Sequence, residues 1–162
     1  MSRRVSHVRM GTRVGDPRNP EAEHYKLDST LESVERIEHL VVEHARRAGF
    51  CGVSLEQIAL AVHETAANAV FHGNQESSRK KVSLDIQATA DQLRIVITDE
   101  GNGFDPAKIP DPLAPEEMFR ERGRGVYLTR ALMDEYKVQC GAKGGSEVTL
   151  VKYRKRGDSD QL

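Results

Sequence analysis

The fold class follows from residues 82–99, which read VSLDIQATADQLRIVITD. Two segments of this stretch alternate apolar with polar residues, and a short polar turn separates them. The apolar positions are Val82, Leu84, Ile86 and Ala88 in the first segment and Leu93, Ile95 and Ile97 in the second. This alternation predicts an antiparallel hairpin in which one face packs on a core and the other faces solvent.

Two amphipathic helices are predicted before the hairpin. The sequences Ser29-Thr30-Leu31-Glu32 and Ser54-Leu55-Glu56-Gln57 are capping boxes, in which polar side chains satisfy backbone N–H groups at a helix start. Apolar residues then recur at helical spacing after each box. Gly49 predicts the end of the first helix, and residues 72–74 predict the end of the second.

The elements after the hairpin complete the assignment. A long loop rich in glycine, proline and charge is expected over residues 101–123, and a third helix begins near Gly125. The other expected strands are a short edge strand at 24–27 and two strands at 136–140 and 146–153. This order predicts an α+β fold, a two-layer sandwich with the helices on one face of a mostly antiparallel, mixed sheet.

Composition excludes several classes of protein. The 162 residues suffice for one well-cored domain, and 24 basic against 25 acidic residues disfavour a dedicated nucleic-acid binder. No apolar run approaches the roughly 20 residues that span a bilayer, and the N-terminus lacks the apolar centre of a secretion signal. The two cysteines form neither a metal-ligand pattern nor a disulfide framework, so a cytoplasmic protein is expected.

Charge is unevenly distributed along the chain. Residues 1–20 carry five arginines against one acid, which predicts a disordered basic arm, with a nucleic-acid or partner-docking arm as the alternative. The folded domain is expected over residues 21–153, and a polar tail over residues 154–162. Residues 21–151 carry a net charge of −7, so the domain itself is acidic.

Glu64 and Asn68 lie four residues apart on the second predicted helix, so they share a face. A solvated polar face is one interpretation of this pair. The neighbours Ala61, Ala67 and Phe71 make the same side half-apolar, which favours a helix with two buried surfaces. A carboxylate and an amide between such surfaces suit a general base beside a ligand for Mg²⁺, which prefers oxygen donors.

Asp99 continues the alternation of the second strand, so its carboxylate is expected on the core-facing side. A buried charge needs a partner. The residue either caps the turn at Gly101 or receives an N–H donor from a ligand. Gly101 and Gly103 allow unusual backbone dihedrals and a close approach of that ligand.

Gly123-Arg124-Gly125 is predicted at the start of the third helix, where backbone N–H groups and the helix dipole favour an anion. The same sequence also occurs as a simple turn. The common phosphate-binding loop and the dinucleotide-binding glycine motif are both absent from the sequence. The nucleophile elbow of serine hydrolases is absent too, and the spacing of His63 and His72 does not match a zinc helix.

Three segments in combination resemble the motifs of one superfamily. Glu64–Ala69 followed by His72-Gly73 resembles the N box of the GHKL ATPases, Asp99–Pro106 resembles their first glycine box, and Gly123–Leu128 resembles their second. Within the superfamily the chain is most similar to the small anti-sigma-factor serine/threonine kinases of the RsbW type. The likeness covers roughly residues 24–153.

The resemblance implies a Bergerat-type sandwich that binds ATP and Mg²⁺. By this resemblance Asn68 coordinates Mg²⁺, Glu64 orients or deprotonates the attacking serine hydroxyl, and Asp99 accepts the adenine amino hydrogen. An ATP lid spans about 104–122. Its hinges and phosphate contacts are Gly101, Gly103, Gly123 and Gly125, and the candidates for the γ-phosphate contact are Arg122 and Arg124.

The resemblance also implies a function. The expected protein is a cytoplasmic, ATP-dependent protein serine kinase that sequesters a sigma factor and phosphorylates a small STAS-type antagonist, so that partners switch. A homodimer is plausible by the same resemblance, and neither a membrane nor a nucleic acid is expected as a direct partner. The alternative is an ATP-binding regulatory module that binds partner proteins without phosphoryl transfer.

Overall fold

The computed structural model describes residues 12–13, 22–103 and 121–155. The strands are β1 (Thr12–Arg13), β2 (Glu23–Asp28), β3 (Lys81–Ala88), β4 (Gln92–Asp99), β5 (Glu135–Cys140) and β6 (Ser146–Tyr153). The helices are α1 (Leu31–Arg47), α2 (Gly52–Ala67) and α3 (Glu121–Leu132), and a π-helical turn (Asn68–Gly73) follows α2 directly.

The strands form one sheet in the order β1-β2-β3-β4-β6-β5, and each of its five strand pairings is antiparallel. The expected α+β class is confirmed, and the sheet, which was expected to be mostly antiparallel and mixed, is antiparallel in all its described strand pairings. No parallel pairing arises in the last hairpin, because β6 lies beside β4. Strand β5, which runs parallel to β4, lies on the far side of β6. Residues 12 and 13, which fall in the arm that was expected to be disordered, pair with the edge of β2.

The helices pack on one face of the sheet, as the alternation predicts. The core joins that face to the apolar sides of α1 and α2, and its largest members are Ile37, Phe50, Ile58, Leu84, Ile86, Leu93, Ile95, Ile97 and Leu150. The opposite face carries polar residues such as Ser83, Asp85 and Arg94, although Val96 and Val151 on that face are also buried. Burial of the helical side fixes the register of β3 and β4, and hence the position at which β4 ends.

The helix starts differ from the predicted capping boxes. Thr30, not Ser29, is the N-cap of α1: its extended backbone lets Oγ1 accept the N–H of Ser33 at 3.3 Å. The N-cap of α2 is Cys51, whose side chain makes no capping bond, so the box predicted at Ser54 is wrong because the helix has already begun.

The end of α1 at Gly49 is confirmed. Gly49 has a φ of +90°, which favours glycine, and its N–H donates to the carbonyl of Arg46 at 3.0 Å. The next N–H, of Phe50, donates to Ala45 at 2.9 Å and brings the Phe50 ring into the core. Within the described residues, the helices are too short or too polar to traverse a bilayer.

Candidate functional site

A cavity of about 340 Å³ lies between the end of α2, the end of β4, helix α3 and the β5–β6 hairpin. This volume is within the range of small-molecule sites. Its lining includes Asn68 and His72 of the π-helical turn, Asp99 of β4, Thr129 of α3 and Tyr136 of β5. Polar side chains therefore reach the cavity from four different elements.

Glu64 and Asn68 meet α3 at one glycine. A Cβ atom placed on Gly125 would lie 2.7 Å from Oε2 of Glu64 and 3.7 Å from Nδ2 of Asn68. Glycine at position 125 thus lets the two helices approach closely enough to bring the carboxylate, the amide and α3 together. Glu64 is half-buried in this position, rather than lying on a fully solvated face.

The backbone around Asn68 is a π-helical turn, which the apolar pattern of the sequence does not reveal. The N–H of Asn74 reaches back to the carbonyl of Ala69 at 2.8 Å, a bond one residue longer than that of an α-helix. The wider turn brings Asn68, His72 and Gly73 to the cavity. Such turns occur frequently at functional sites.

Asp99 ends β4 with a carboxylate that is only 5% exposed and lines the cavity. Its Oδ1 accepts the backbone N–H groups of Gly101 at 2.8 Å and Ser146 at 3.2 Å. Burial raises the pKa of the carboxyl above its usual value, although these N–H bonds oppose the shift. The turn-capping interpretation is therefore realised, and the same carboxylate also faces a space that a ligand can fill.

Two glycines that the sequence analysis did not assign to the site surround this carboxylate. A Cβ atom on Gly73 would lie 2.4 Å from Cγ of Asp99, and one on Gly145 would lie 2.1 Å from its carbonyl oxygen. Gly145 also has a φ of +71°. Gly145 lies between β5 and β6, and nothing in the local sequence shows that β4 passes beside it.

The glycines after β4 have separate roles. A Cβ atom on Gly101 would lie 2.2 Å from the carbonyl oxygen of Gly73, so glycine is required for close packing there. Gly103 has a φ of +73° and lines the cavity. Gly103 therefore keeps a side chain out of the cavity, whereas Gly101 allows the end of β4 to pack on the π-helical turn.

The predicted start of the third helix is wrong by at least four residues, since the described part of α3 already includes Glu121. Gly125 is therefore at least the fifth residue of the helix, beyond the first four N–H groups that lack an acceptor within the helix. The close contact with Glu64 requires glycine at this position. Arg124 is exposed on α3. The side chain of Arg122, the surroundings of Gly123 and the expected lid up to residue 120 lie outside the described residues.

Thr129 is a site residue that the sequence analysis missed. It is 1% exposed, lines the cavity, and its Oγ1 donates to the carbonyl of Gly125 at 2.9 Å. This bond lies inside α3 on the side that meets the cavity. No local signal distinguishes it from an ordinary helical threonine.

The donor set suits a hard cation that needs few protein ligands. Among the described residues, no group of three His, Cys, Asp or Glu side chains could hold a metal ion by itself. The amide of Asn68 lies beside the Glu64 carboxylate at the cavity, which offers oxygen donors. Mg²⁺ commonly takes one or two protein ligands and completes its shell with substrate phosphates and water, so these residues fit it.

Comparison with known proteins agrees with the three boxes. The family model of the histidine kinase-like ATPase domain matches residues 27–152. The chain is 32% identical to the serine-protein kinase RsbW of Bacillus velezensis over 115 residues, which cover 67% of this chain and 71% of that protein. The serine-protein kinase RsbW of Staphylococcus epidermidis is 30% identical over 138 residues, 81% of this chain and 86% of that protein.

Two solved structures share the fold. One contains the RsbU and RsbW domains of a Mycobacterium tuberculosis protein: its TM-score is 0.58 at 21% identity, covering 83% of this chain and 33% of that one. The other is the mycobacterial sensor histidine kinase MprB, with a TM-score of 0.52 at 19% identity, covering 80% of this chain and 97% of that one. The family resemblance and the expected sandwich fold are confirmed.

Proposed function

Because this chain belongs to the histidine kinase-like ATPase domain family, we propose that it is an ATP-dependent protein serine kinase and anti-sigma factor. Its substrate is the serine of a small STAS-type antagonist, and its other partner is a sigma factor that it sequesters. The observation that carries the proposal is the meeting of Glu64, Asn68 and Gly125 beside a cavity that contains the buried Asp99. Relatives named serine-protein kinase RsbW support the same reaction.

In this proposal Asp99 recognises the adenine base of the nucleotide. Its carboxylate is buried and its pKa is raised, so the charged form is disfavoured until a further hydrogen-bond donor arrives. The amino group of adenine is such a donor. Gly101, Gly103 and Gly73 leave room for the ring to approach, because each lacks a side chain at a crowded position or at the cavity mouth.

Asn68 holds Mg²⁺ at the phosphate end of the site. The ion supplies neutralisation of phosphate charge when it is bound, and the amide oxygen suits its preference for hard donors. Arg122 and Arg124 are proposed to contact the γ-phosphate, and Gly123 is proposed as a backbone contact. Gly125 is proposed as a second backbone contact, and it also lets Glu64 lie against α3.

Glu64 is proposed as the general base of the transfer. The serine oxygen of the antagonist attacks the γ-phosphorus, its proton passes to the Glu64 carboxylate, and ADP leaves with the electron pair of the broken bond. Positioned proton transfer of this kind contributes about 10²–10⁴-fold to a rate. The half-buried position of this carboxylate, close to Asn68 and α3, supports the proposed role.

Partner switching places the protein in the cytoplasm, where a sigma factor and its antagonist compete for it. Phosphorylation would lower the affinity of the antagonist and so release the kinase to bind the sigma factor. A homodimer belongs to the same proposal. These partners are proposed from the resemblance to the anti-sigma-factor kinases of the RsbW type.

The test uses the full chain, Mg-ATP and a cognate STAS-type antagonist. We expect phosphoserine on the antagonist, and we expect Glu64→Gln to lower the transfer rate by about 100-fold or more while ATP still binds. Glu56→Gln, at an exposed glutamate on the same helix, is the matched control and should leave the rate unchanged.

Equal transfer by the Glu64→Gln variant would remove Glu64 from the role of base. ATP binding and partner capture without any phosphoserine, in both the wild type and the variant, would contradict the kinase. That result would favour the alternative, a regulatory module that holds ATP without transferring phosphate.

A further inference from the structure

Asn74 is fully buried directly after the π-helical turn, and both ends of its side chain bind backbone atoms. Its Nδ2 donates to the carbonyl oxygen of Lys81 at 2.9 Å, and its Oδ1 accepts the N–H of Glu100 at 2.8 Å. These partners lie at the start of β3 and just after the end of β4. One amide therefore ties the turn to both strands of the central hairpin.

Glu100 closes the same network from the other side. Its Oε2 accepts the N–H of Lys81 at 2.9 Å, and its Oε1 lies 3.5 Å from Nζ of Lys26 on β2. The last registered pair of β3 and β4 is Val82 with Asp99, so Lys81 and Glu100 lie one position beyond it. The side chains of Asn74 and Glu100 thus extend the connection between the strands past the end of their ladder.

This network holds the residues that immediately precede its two members. Gly73 precedes Asn74 and Asp99 precedes Glu100 in the sequence. The two preceding residues are packed so closely that a Cβ atom on Gly73 would lie 2.4 Å from Cγ of Asp99. Because Gly73 and Asp99 are packed this closely, a shift of the π-helical turn away from the hairpin would move the Asp99 carboxylate or remove its packing against Gly73.

We propose that Asn74 and Glu100 are positioning residues that set base selectivity at the cavity. They hold the π-helical turn against the end of β4, and so fix the Asp99 carboxylate where it distinguishes a 6-amino purine from a 6-oxo purine. This inference rests on the proposed function in one respect, namely that the cavity binds ATP with Asp99 toward the base.

The test measures nucleotide binding rather than transfer. Calorimetric titration of the full chain with ATP and with inosine triphosphate gives the ratio of the two affinities. We expect wild type to prefer ATP. We expect Asn74→Ala to reduce the ratio of ATP affinity to inosine triphosphate affinity by about tenfold, because the adenine amino group then loses its hydrogen bond to the charged Asp99. The loss should come mainly from weaker ATP binding.

A merely structural role would leave this ratio unchanged, because unfolding lowers the active fraction equally for both nucleotides. Ile37→Val, in the core of α1 and away from the cavity lining, is the control for lost stability. Glu100→Ala changes a partly exposed side chain of the same network. If Asn74→Ala does not fold, the affinity ratio of Glu100→Ala tests the inference in its place. This variant should lower the ratio in the same direction.

An unchanged ratio in Asn74→Ala, or in Glu100→Ala where that variant decides, would overturn the inference. Equal affinity of the wild type for the two nucleotides would overturn it as well. Absence of phosphoserine on the antagonist would contradict only the kinase, because the binding ratio is measured without phosphoryl transfer.

Discussion

Asp99 carries a charge at a place where burial disfavours it. Its pKa is raised in the folded protein, so the folded state binds the proton more tightly than the unfolded state does. The stability that this group contributes is present below its ordinary pKa, and is lost as the pH rises through the raised value. At neutral pH the unliganded protein is therefore less stable than it would be if this carboxyl kept its proton.

Replacement of Asp99 by Asn tests whether the charge of this carboxylate lowers the stability of the unliganded protein and strengthens ATP binding. Asn keeps an oxygen for the N–H groups of Gly101 and Ser146, but it carries no charge and presents an amide N–H₂ to the cavity. We expect the unfolding free energy of Asp99→Asn to match or exceed that of wild type at pH 8, and ATP affinity to fall by about tenfold or more. Urea denaturation and calorimetric titration measure the two quantities.

The pH dependence gives the sharper check. The wild type should lose stability relative to Asp99→Asn as the pH rises from 4 to 8. A difference that stays constant over this range, or that grows in favour of the wild type, would contradict the raised pKa as the cause.

Gly125→Ala tests whether the contact between α3 and Glu64 matters for transfer. The added Cβ would lie 2.7 Å from Oε2 of Glu64, so the carboxylate must move. We expect transfer to fall by about 100-fold, since small misplacements of a reacting group have effects of this order. The substitution should not destabilise α3 through helix propensity, because alanine is favoured over glycine within a helix by about 0.5–1 kcal/mol.

The double variant Gly125→Ala with Glu64→Gln separates this contact from other effects. If alanine acts by displacing Glu64, the double variant should transfer no more slowly than Glu64→Gln alone. A double variant that loses as much as the two single variants combined would show that Gly125 acts through something else, such as the phosphate.

The local sequence predicts some site residues and not others. Asp99 follows from a period-2 pattern, because alternation alone places it on the buried side of β4. Asn74 and Gly145 act through Glu100 and Asp99, which lie 26 and 46 positions away in the sequence. No local pattern records such a contact, so these residues emerge only when the chain is folded.

At the scale of elements, the hairpin of β3 and β4 is the most predictable part, because burial of one face fixes both its existence and its register. Helix starts are less predictable. Ser29 and Thr30 are both good N-caps, and the backbone of α1 uses the second. The start of α3 was displaced because its glycines at 123 and 125 resemble loop sequence although they lie within a helix.

Lys152 links three elements, and its loss should loosen α3. It is 3% exposed on β6, and its Nζ donates to the carbonyl of Leu132 at 2.6 Å and to Gln57 of α2 at 2.8 Å. Leu132 is the last residue of α3. Lys152→Met preserves the apolar stem but leaves these two oxygens without this donor, so we expect a loss of about 1–3 kcal/mol in unfolding free energy.

Hydrogen exchange locates the effect of Lys152→Met. The amides in the last turn of α3 should exchange faster, while those of β3 and β4 should change only as global stability falls. Lys137→Met, at an exposed lysine on the neighbouring strand, is the control and should change neither quantity appreciably. Uniform acceleration across the molecule would show that Lys152 does not act specifically on α3.

The whole molecule has a charge distribution that opposes its proposed ligand. Residues 21–151 carry a net charge of −7, while residues 1–20 carry +4 and residues 152–162 carry +2, so the total of −1 conceals an acidic domain. A nucleotide triphosphate is itself strongly anionic. In the proposed complex, Mg²⁺, local N–H groups and the arginines at 122 and 124 would therefore neutralise the phosphates, rather than the overall field of the protein.

Removal of Mg²⁺ at two salt concentrations tests this balance. Chelation with EDTA should weaken ATP binding, because the bare nucleotide carries more negative charge and the ion that Asn68 would hold is removed. The weakening should be larger at 20 mM than at 300 mM salt, since repulsion by the acidic domain is screened over about 10 Å at 0.1 M. Calorimetric titrations at both concentrations, with and without EDTA, measure it. Affinity that is indifferent to Mg²⁺, or a weakening that grows with salt, would mean that short-range contacts alone determine how this acidic domain holds an anion.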